Sequence, residues 1–174
     1  VPRSAEGYDF ESNFIQMIGS NFSSQARAED FGLQIDTFLA TGEDKLISHI
    51  KQAAAQYTRQ GVKGVFFLPV DFFADNAGVN LEIARIFDEA GVKVVLLDRD
   101  ICQMPLRSKY DIVGINNRRA AFVVTDHLIR NGAKSFHFIS CPLSSNTVRE
   151  RIEGFKAALE HHNISGGFSI VHGY

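Results

Sequence analysis

Glycines at positions 32, 61, 91 and 132 punctuate the chain and leave its fold little freedom. Each closes a stretch of helical periodicity and opens a β-rich run, the place of a glycine just past a helix C-terminus. Phe10, Phe14, Ile18 and Phe22 recur every four residues ahead of Gly32, and Leu46, Ile50, Ala53, Ala54 and Tyr57 form a similar stripe ahead of Gly61. Leu81, Ala84, Phe87 and Ala90 precede Gly91; Ala120, Val123, Val124, His127 and Leu128 precede Gly132. The runs that follow are "LQIDTFLA", "VFFLP", "VKVVLLD" and "FHFIS". Three of them are too continuously apolar for a half-exposed strand and suit a parallel sheet covered on both faces. "DIVGI", residues 111–115, adds a short strand that breaks the 29- and 30-residue spacing of the first three glycines. Strand and helix alternate throughout, so the class is α/β with a parallel sheet.

With 174 residues, 45% of them hydrophobic and 22% charged, the chain has material for a real core in one domain or two small ones. A net charge of −2 carries no nucleic-acid footprint. Cys102 and Cys141 are too few for a disulfide framework and lack metal-site spacing, which favours a reducing compartment. The sequence has neither a signal-peptide pattern nor an apolar run long enough to span a bilayer, so the expectation is a soluble cytoplasmic protein without a membrane partner. It opens with "VP" close to a helix, as though a first strand were missing, and closes on the strand-like "FSIVHGY". Both ends imply part of something larger, because an open sheet without neighbours leaves unpaired edges.

In sheets of this class ligands bind beyond the C-terminal ends of the strands. There the sequence places Asp98 and Arg99, then Asn116 and Asn117 with Arg118 and Arg119, then the loop "CPLSSNT" leading to Arg149 and Arg151; Tyr8, Asp9 and Phe10 precede the first helix. A carboxylate accepts from adjacent hydroxyls, Arg donates a fork, and a ring covers the apolar face of a sugar, so the set suits a small, hydroxyl-rich neutral ligand. Plainer readings stand beside this one. Asp98 serves equally to cap the next loop. Arg149 and Arg151 are two apart and cannot share a helix face; Arg151 shares Thr147's face and Arg149 points to solvent. Tyr8 and Phe10 fit a core or a hydrophobic staple. His161 and His162 at a helix end read as solvated, His127 as a packed helix residue, and Cys141 has no base in sequence reach. Neither a dinucleotide nor a P-loop motif occurs, and no metal-site pattern, so no cofactor, metal or catalytic residue is expected.

"VVLLDRD", "DIVGINNRRAAFVVTDHLIRNGAKSFHFIS" and "CPLSSNTVRERIEGFKAAL" resemble the effector-binding region of the LacI/GalR bacterial transcription regulators, whose fold is shared with periplasmic sugar-binding proteins. The likeness runs from about Gly32 to the C-terminus, and "TVRERIEGFKAAL", Thr147 to Leu159, is its most specific piece. "HLIRNG" is similar to a pattern of the regulators rather than of the carriers. The resemblance implies a type I periplasmic-binding-protein-like α/β fold in two lobes, the first over residues 1–115 and an incomplete second from 116 to 174, with the effector in the cleft between them. By position, Asp98 and Arg99 then hold hydroxyls from the first lobe, Thr147 and Arg151 reach back from the second, Ile115 lines a wall, and Tyr8 or Phe10 gives aromatic cover. Ala133 and Cys141 stand where the family usually has histidine and glycine. The implied function is a sugar sensor of repressor type, homodimeric, with a monosaccharide favoured and operator DNA bound only through a headpiece that these residues lack. The alternatives are a periplasmic carbohydrate-binding protein of a transport system, or an enzyme or phospho-receiver built on Asp98. A receiver needs an acidic cluster near the first strand and a strand-end lysine, and the sequence offers neither.

Overall fold

A computed structural model of the chain describes residues 5–29, 32–38, 42–71, 75–102, 105–140 and 146–172, with side chains from residue 16 onward. The chain divides into two compact units, Val1–Leu39 and Ala40–Tyr174.

The first unit holds one long helix, α1 (Ala5–Ala28), followed by an extended segment over residues 32–38. A Cβ on Gly19 would stand 3.1 Å from the Ile35 side chain, so the segment folds back along the helix. "LQIDTFLA" was expected as a strand, yet its described residues form none. A strand exists by virtue of its partner, and among the described residues no strand pairs with this segment.

The second unit runs α2 (Glu43–Gln60), β1 (Gly64–Phe67), α3 (Asn76–Glu89), β2 (Lys93–Leu97), β3 (Asp111–Val113), α4 (Asn117–Arg130), β4 (Phe136–Ser140), α5 (Asn146–His161) and β5 (Phe168–His172). β1, β2 and β3 form one parallel sheet in that order, and β4 pairs in parallel with β5. Three of the four punctuating glycines act as the sequence requires. Gly61, Gly91 and Gly132 have φ of 73°, 74° and 88°. The N–H of each and of its successor cap the preceding helix, as in Gly61 to Thr58 O (3.2 Å) and Val62 to Tyr57 O (3.0 Å). Asn163, at φ 56°, closes α5 in the same way, with Ile164 N–H on Leu159 O at 2.9 Å.

Burial follows the expected helical stripe in α2 and only part of it in α3, where Ala84 and Phe87 are buried but Leu81 is 48% exposed. Leu46, Ile50, Ala53, Ala54 and Tyr57 of α2 and Val79, Ile83, Ala84, Ile86 and Phe87 of α3 are buried. The rings of Tyr57 and Phe87 stack with centroids 6.1 Å apart. Each fully buried Leu or Ile here contributes about 1.5–3 kcal/mol. β2, with Val94, Leu96 and Leu97 all buried, is covered as a central strand should be. β1 and β4 are not. Phe66 is 51% and Ile139 74% exposed. α4 also departs from its apolar stripe. Val123, Val124 and Leu128 face outward, and the helix packs on α5 through Ala121, Thr125 and their neighbours. His127 is exposed rather than packed, while His162 is half-buried and its Nε2 meets Asp126 Oδ1 at 2.6 Å.

Candidate functional site

β2 ends in an unusual bend. Asp98 has φ 67°, a left-handed conformation in which few residues besides glycine, Asn and Asp are found. Its own N–H continues the ladder to Val113 O at 2.8 Å, and the next N–H, of Arg99, turns back to Leu97 O at 2.7 Å. That is a γ-turn centred on Asp98 with positive φ, the rarer and more strained kind. Such a residue costs about 1–3 kcal/mol and persists where its surroundings hold it.

Two neighbours hold it. Gly114, just past β3, lies so close that a Cβ there would stand 2.8 Å from the Asp98 carbonyl oxygen. The Arg99 guanidinium supplies the second restraint. Its Nε and Nη2 each lie 3.1 Å from Asp98 Oδ2, and its Nη1 pairs with Asp71 Oδ2. All three side chains are mostly buried, Arg99 at 17% exposure, Asp98 at 21% and Asp71 at 26%. Asp100 then secures the following loop by accepting from Cys102 N–H (2.9 Å) and Ser108 N–H (3.2 Å).

From Gly114 the chain passes through Ile115, which is 65% exposed, into α4. Asn116 caps that helix by accepting from Arg119 N–H at 2.9 Å. Asn117, 1% exposed, donates its amide to Ile115 O (3.2 Å) and accepts from Arg151 Nε (2.7 Å). Arg151 extends from the second turn of α5 and, like Arg149, is exposed, whereas Thr147, one turn earlier, is buried. Between them Glu150 has its carboxyl held above the ordinary glutamate value, first by burial and then by the negative charges of Asp100 and Asp98. The β2 end, the β3–α4 passage and the start of α5 therefore meet at one place.

Of the expected residues, Asp98, Arg99, Ile115, Thr147 and Arg151 fall on these three converging segments. Tyr8 and Phe10 lie within α1 rather than ahead of it, and their side chains are outside the described residues. Cys141 and the loop through residue 145 are outside them too. Sequence reasoning missed Asp71, Gly114 and Glu150, and it placed Asn117 at a strand end without giving it a role. Asp71 did carry a signal, since it follows "VFFLPV" at a strand end where ligand-facing residues gather. No His, Cys, Asp and Glu grouping fit for a metal occurs among the described residues.

No protein-family model matches the sequence. Over 100 residues the chain is 32% identical to the maltose regulon regulatory protein MalI of Escherichia coli K12, a stretch covering 58% of this chain and 26% of MalI. In structure it is similar to GanP, a glucose-galactose binding protein from Geobacillus stearothermophilus, with a TM-score of 0.64 and 22% identity over 92% of this chain and 52% of that one. A transcription regulator from Lactobacillus plantarum gives a TM-score of 0.62 at 19% identity, over 92% and 54% of the two chains. The chain resembles the LacI/GalR regulators. Its fold is the type I periplasmic-binding-protein-like fold common to that family and to sugar-binding proteins such as GanP. The chain spans about half the length of these two solved relatives, and its match to MalI about a quarter of that protein.

Proposed function

We propose that the chain is the effector-binding part of a sugar-sensing bacterial transcription regulator of repressor type. One observation carries the reading: Arg151 on α5 joins Asn117 beside the strained Asp98 turn, so donors and acceptors from three segments converge. In this reading residues 1–115 belong to one lobe and 116–174 begin the other. Asp98 accepts from effector hydroxyls, Arg151 and Thr147 contribute from α5, and Ile115 lines the wall between. Closure of the lobes is a hinge motion that alters the geometry of a homodimer in the cytoplasm and with it the spacing of two DNA-reading headpieces. An effector needs differential affinity for the two states, and a coupling of about 1–3 kcal/mol is typical. The acid-rich strand end favours a monosaccharide. No described helix is long and apolar enough to cross a membrane.

Thermal unfolding of the full-length protein against a panel of mono- and disaccharides tests this. A sugar at a hundred times its dissociation constant should stabilise the wild type by about 2.7 kcal/mol. Asp98→Ala and Arg151→Ala should each lose a charge-assisted contact, about 1.5–3 kcal/mol, or roughly ten- to a hundred-fold in affinity. A shift that survives both substitutions puts the site elsewhere, and no shift with any sugar removes carbohydrate as the ligand. The likeness to GanP keeps a periplasmic carbohydrate-binding protein as the second reading. The N-terminus of the native protein separates the two, a DNA-binding headpiece for one and a signal peptide for the other.

A further inference from the structure

We infer that Asp71 sets the ligand class of this site, by neutralising Arg99 so that the strand-end rim accepts an uncharged polyol and rejects phosphorylated or carboxylated ones. The inference rests on the converging segments being the effector site.

An unpaired arginine at a binding rim is an anion receptor, because its planar fork matches phosphate and carboxylate oxygens. Arg99 is at the rim but is not unpaired. Asp98 takes Nε and Nη2 on one edge and Asp71 takes Nη1 on the other, with all three side chains mostly buried and so weakly screened. Of these two carboxylates, only Asp98 is adjacent in sequence. Asp71 arrives from the end of the neighbouring strand segment, and its pairing with Arg99 has no role in the ladder or in a helix cap.

The surrounding charges point the same way. Asp100 is committed to two loop amides, and Glu150 faces the fields of Asp100 and Asp98 from α5. Of the arginines on these segments, Arg99 is held between two carboxylates and Arg151 is bound to the neutral Asn117, while Arg118, Arg119 and Arg149 stand on the first turns of α4 and α5. Around Arg99 itself two carboxylates face one guanidinium, so the charge there is net negative. A phosphate ester arriving there meets repulsion, whereas hydroxyl groups donate to the free carboxylate oxygens. Removing the Asp71 charge unlocks one edge of Arg99 and lowers the repulsion together.

The test uses inorganic phosphate as the probe, titrated into the full-length protein and followed through the Arg99 Nε–Hε resonance. In the wild type the resonance should not move in a saturable way. In Asp71→Asn it should report phosphate binding at least about ten-fold tighter, and Asp71→Ser, which removes the same charge, should behave alike. Adding Arg99→Met to either variant, with phosphate binding then read by isothermal titration calorimetry because the Arg99 resonance is gone, should abolish the gain, which a merely structural role for Asp71 does not require. Saturable phosphate binding at Arg99 in the wild type overturns the inference, as does a folded Asp71 variant that gains nothing. A sugar panel that moves nothing would end the functional reading yet leave this titration decisive, since phosphate needs no sugar to be present.

Discussion

Asp98 and Gly114 are packed backbone against backbone at the end of the three-stranded sheet. The residue after β3 has no side chain because the carbonyl of Asp98 occupies the space a Cβ would need, at 2.8 Å. Gly114 does not have a positive φ, so the demand is steric alone. Gly114→Ala should push the two strand ends apart and cost about 1–3 kcal/mol, as overpacking does, read from the midpoint of urea unfolding. The Arg99 amide, which closes the γ-turn on Leu97 O, should shift in the NMR spectrum; an unmoved amide would mean that Asp98 does not depend on Gly114. At this scale the sequence was partly legible. A strand-end "DRD" marks Asp98 and Arg99 by position alone. The partners that give them their state were hidden, because Asp71 lies 28 residues from Arg99 and only the pairing of β1 with β2 brings their ends together.

Elements explain why "RIEGF" needs its glycine. α4 and α5 cross so closely that a Cβ on Gly154 would stand 2.0 Å from the Arg118 carbonyl oxygen and 3.1 Å from the Ala121 side chain. The approach lets Arg151 reach Asn117 at the start of α4, and it seats Phe155 and Leu159 against Phe136, Phe138 and Ile170 of the small sheet. Gly154→Ala must separate the helices, so a loss of about 1–3 kcal/mol or more is expected in urea unfolding, together with disorder of the Asn117 side-chain amide. A variant that unfolds like the wild type would show that the helices have room to spare. This packing is also the reason the apolar stripe of α4 misled. Val123, Val124 and Leu128 have the spacing of a core face, but α5 lies against another one, where Ala121 meets Gly154, Phe122 meets His161 and Ile129 packs on the cluster of Phe155 and Leu159. Hydrophobic spacing finds faces that bury against apolar surfaces. It does not tell which of two neighbouring apolar faces a partner helix covers, and here Gly154 brings α5 onto the one that carries Ala121. By contrast α2 and β2 were legible, since their burial rests on apolar contact, while in α3 Ala84 and Phe87 of the expected stripe are buried and Leu81 is not.

At the scale of the whole molecule, three described carboxyl groups act on stability in opposite senses. Asp126 is held below the ordinary aspartate value by His162 and then Arg130. Burial works to raise Asp88, but the hydrogen bonds from Lys109 and Tyr110 outweigh it and hold it low as well. Groups depressed in the fold contribute stability above the unfolded value, about 3.9 for Asp, and lose it as the pH falls through their folded values. Glu150 is the opposite case. Its folded value is raised, by burial first and then by Asp100 and Asp98. The native state therefore binds its proton more tightly than the unfolded chain, and its contribution declines as pH rises from about 4.3 through the folded value. Asp126 and Asp88 make the protein weaker in acid, and Glu150 makes it weaker at neutral pH than it needs to be. Glu150→Gln, which keeps the shape and removes the charge, should raise the urea midpoint near neutral pH and lose that advantage below about pH 4, where wild-type Glu150 is itself protonated. An advantage that persists unchanged in acid would have to come from packing, and Glu150 would then not be facing Asp98 and Asp100 across the rim. A protein that keeps such a carboxylate at neutral pH gives up stability where the proposed effector enters, and a neutral polyol hydrogen-bonded to Asp98 and Glu150 should recover part of it by satisfying both groups at once.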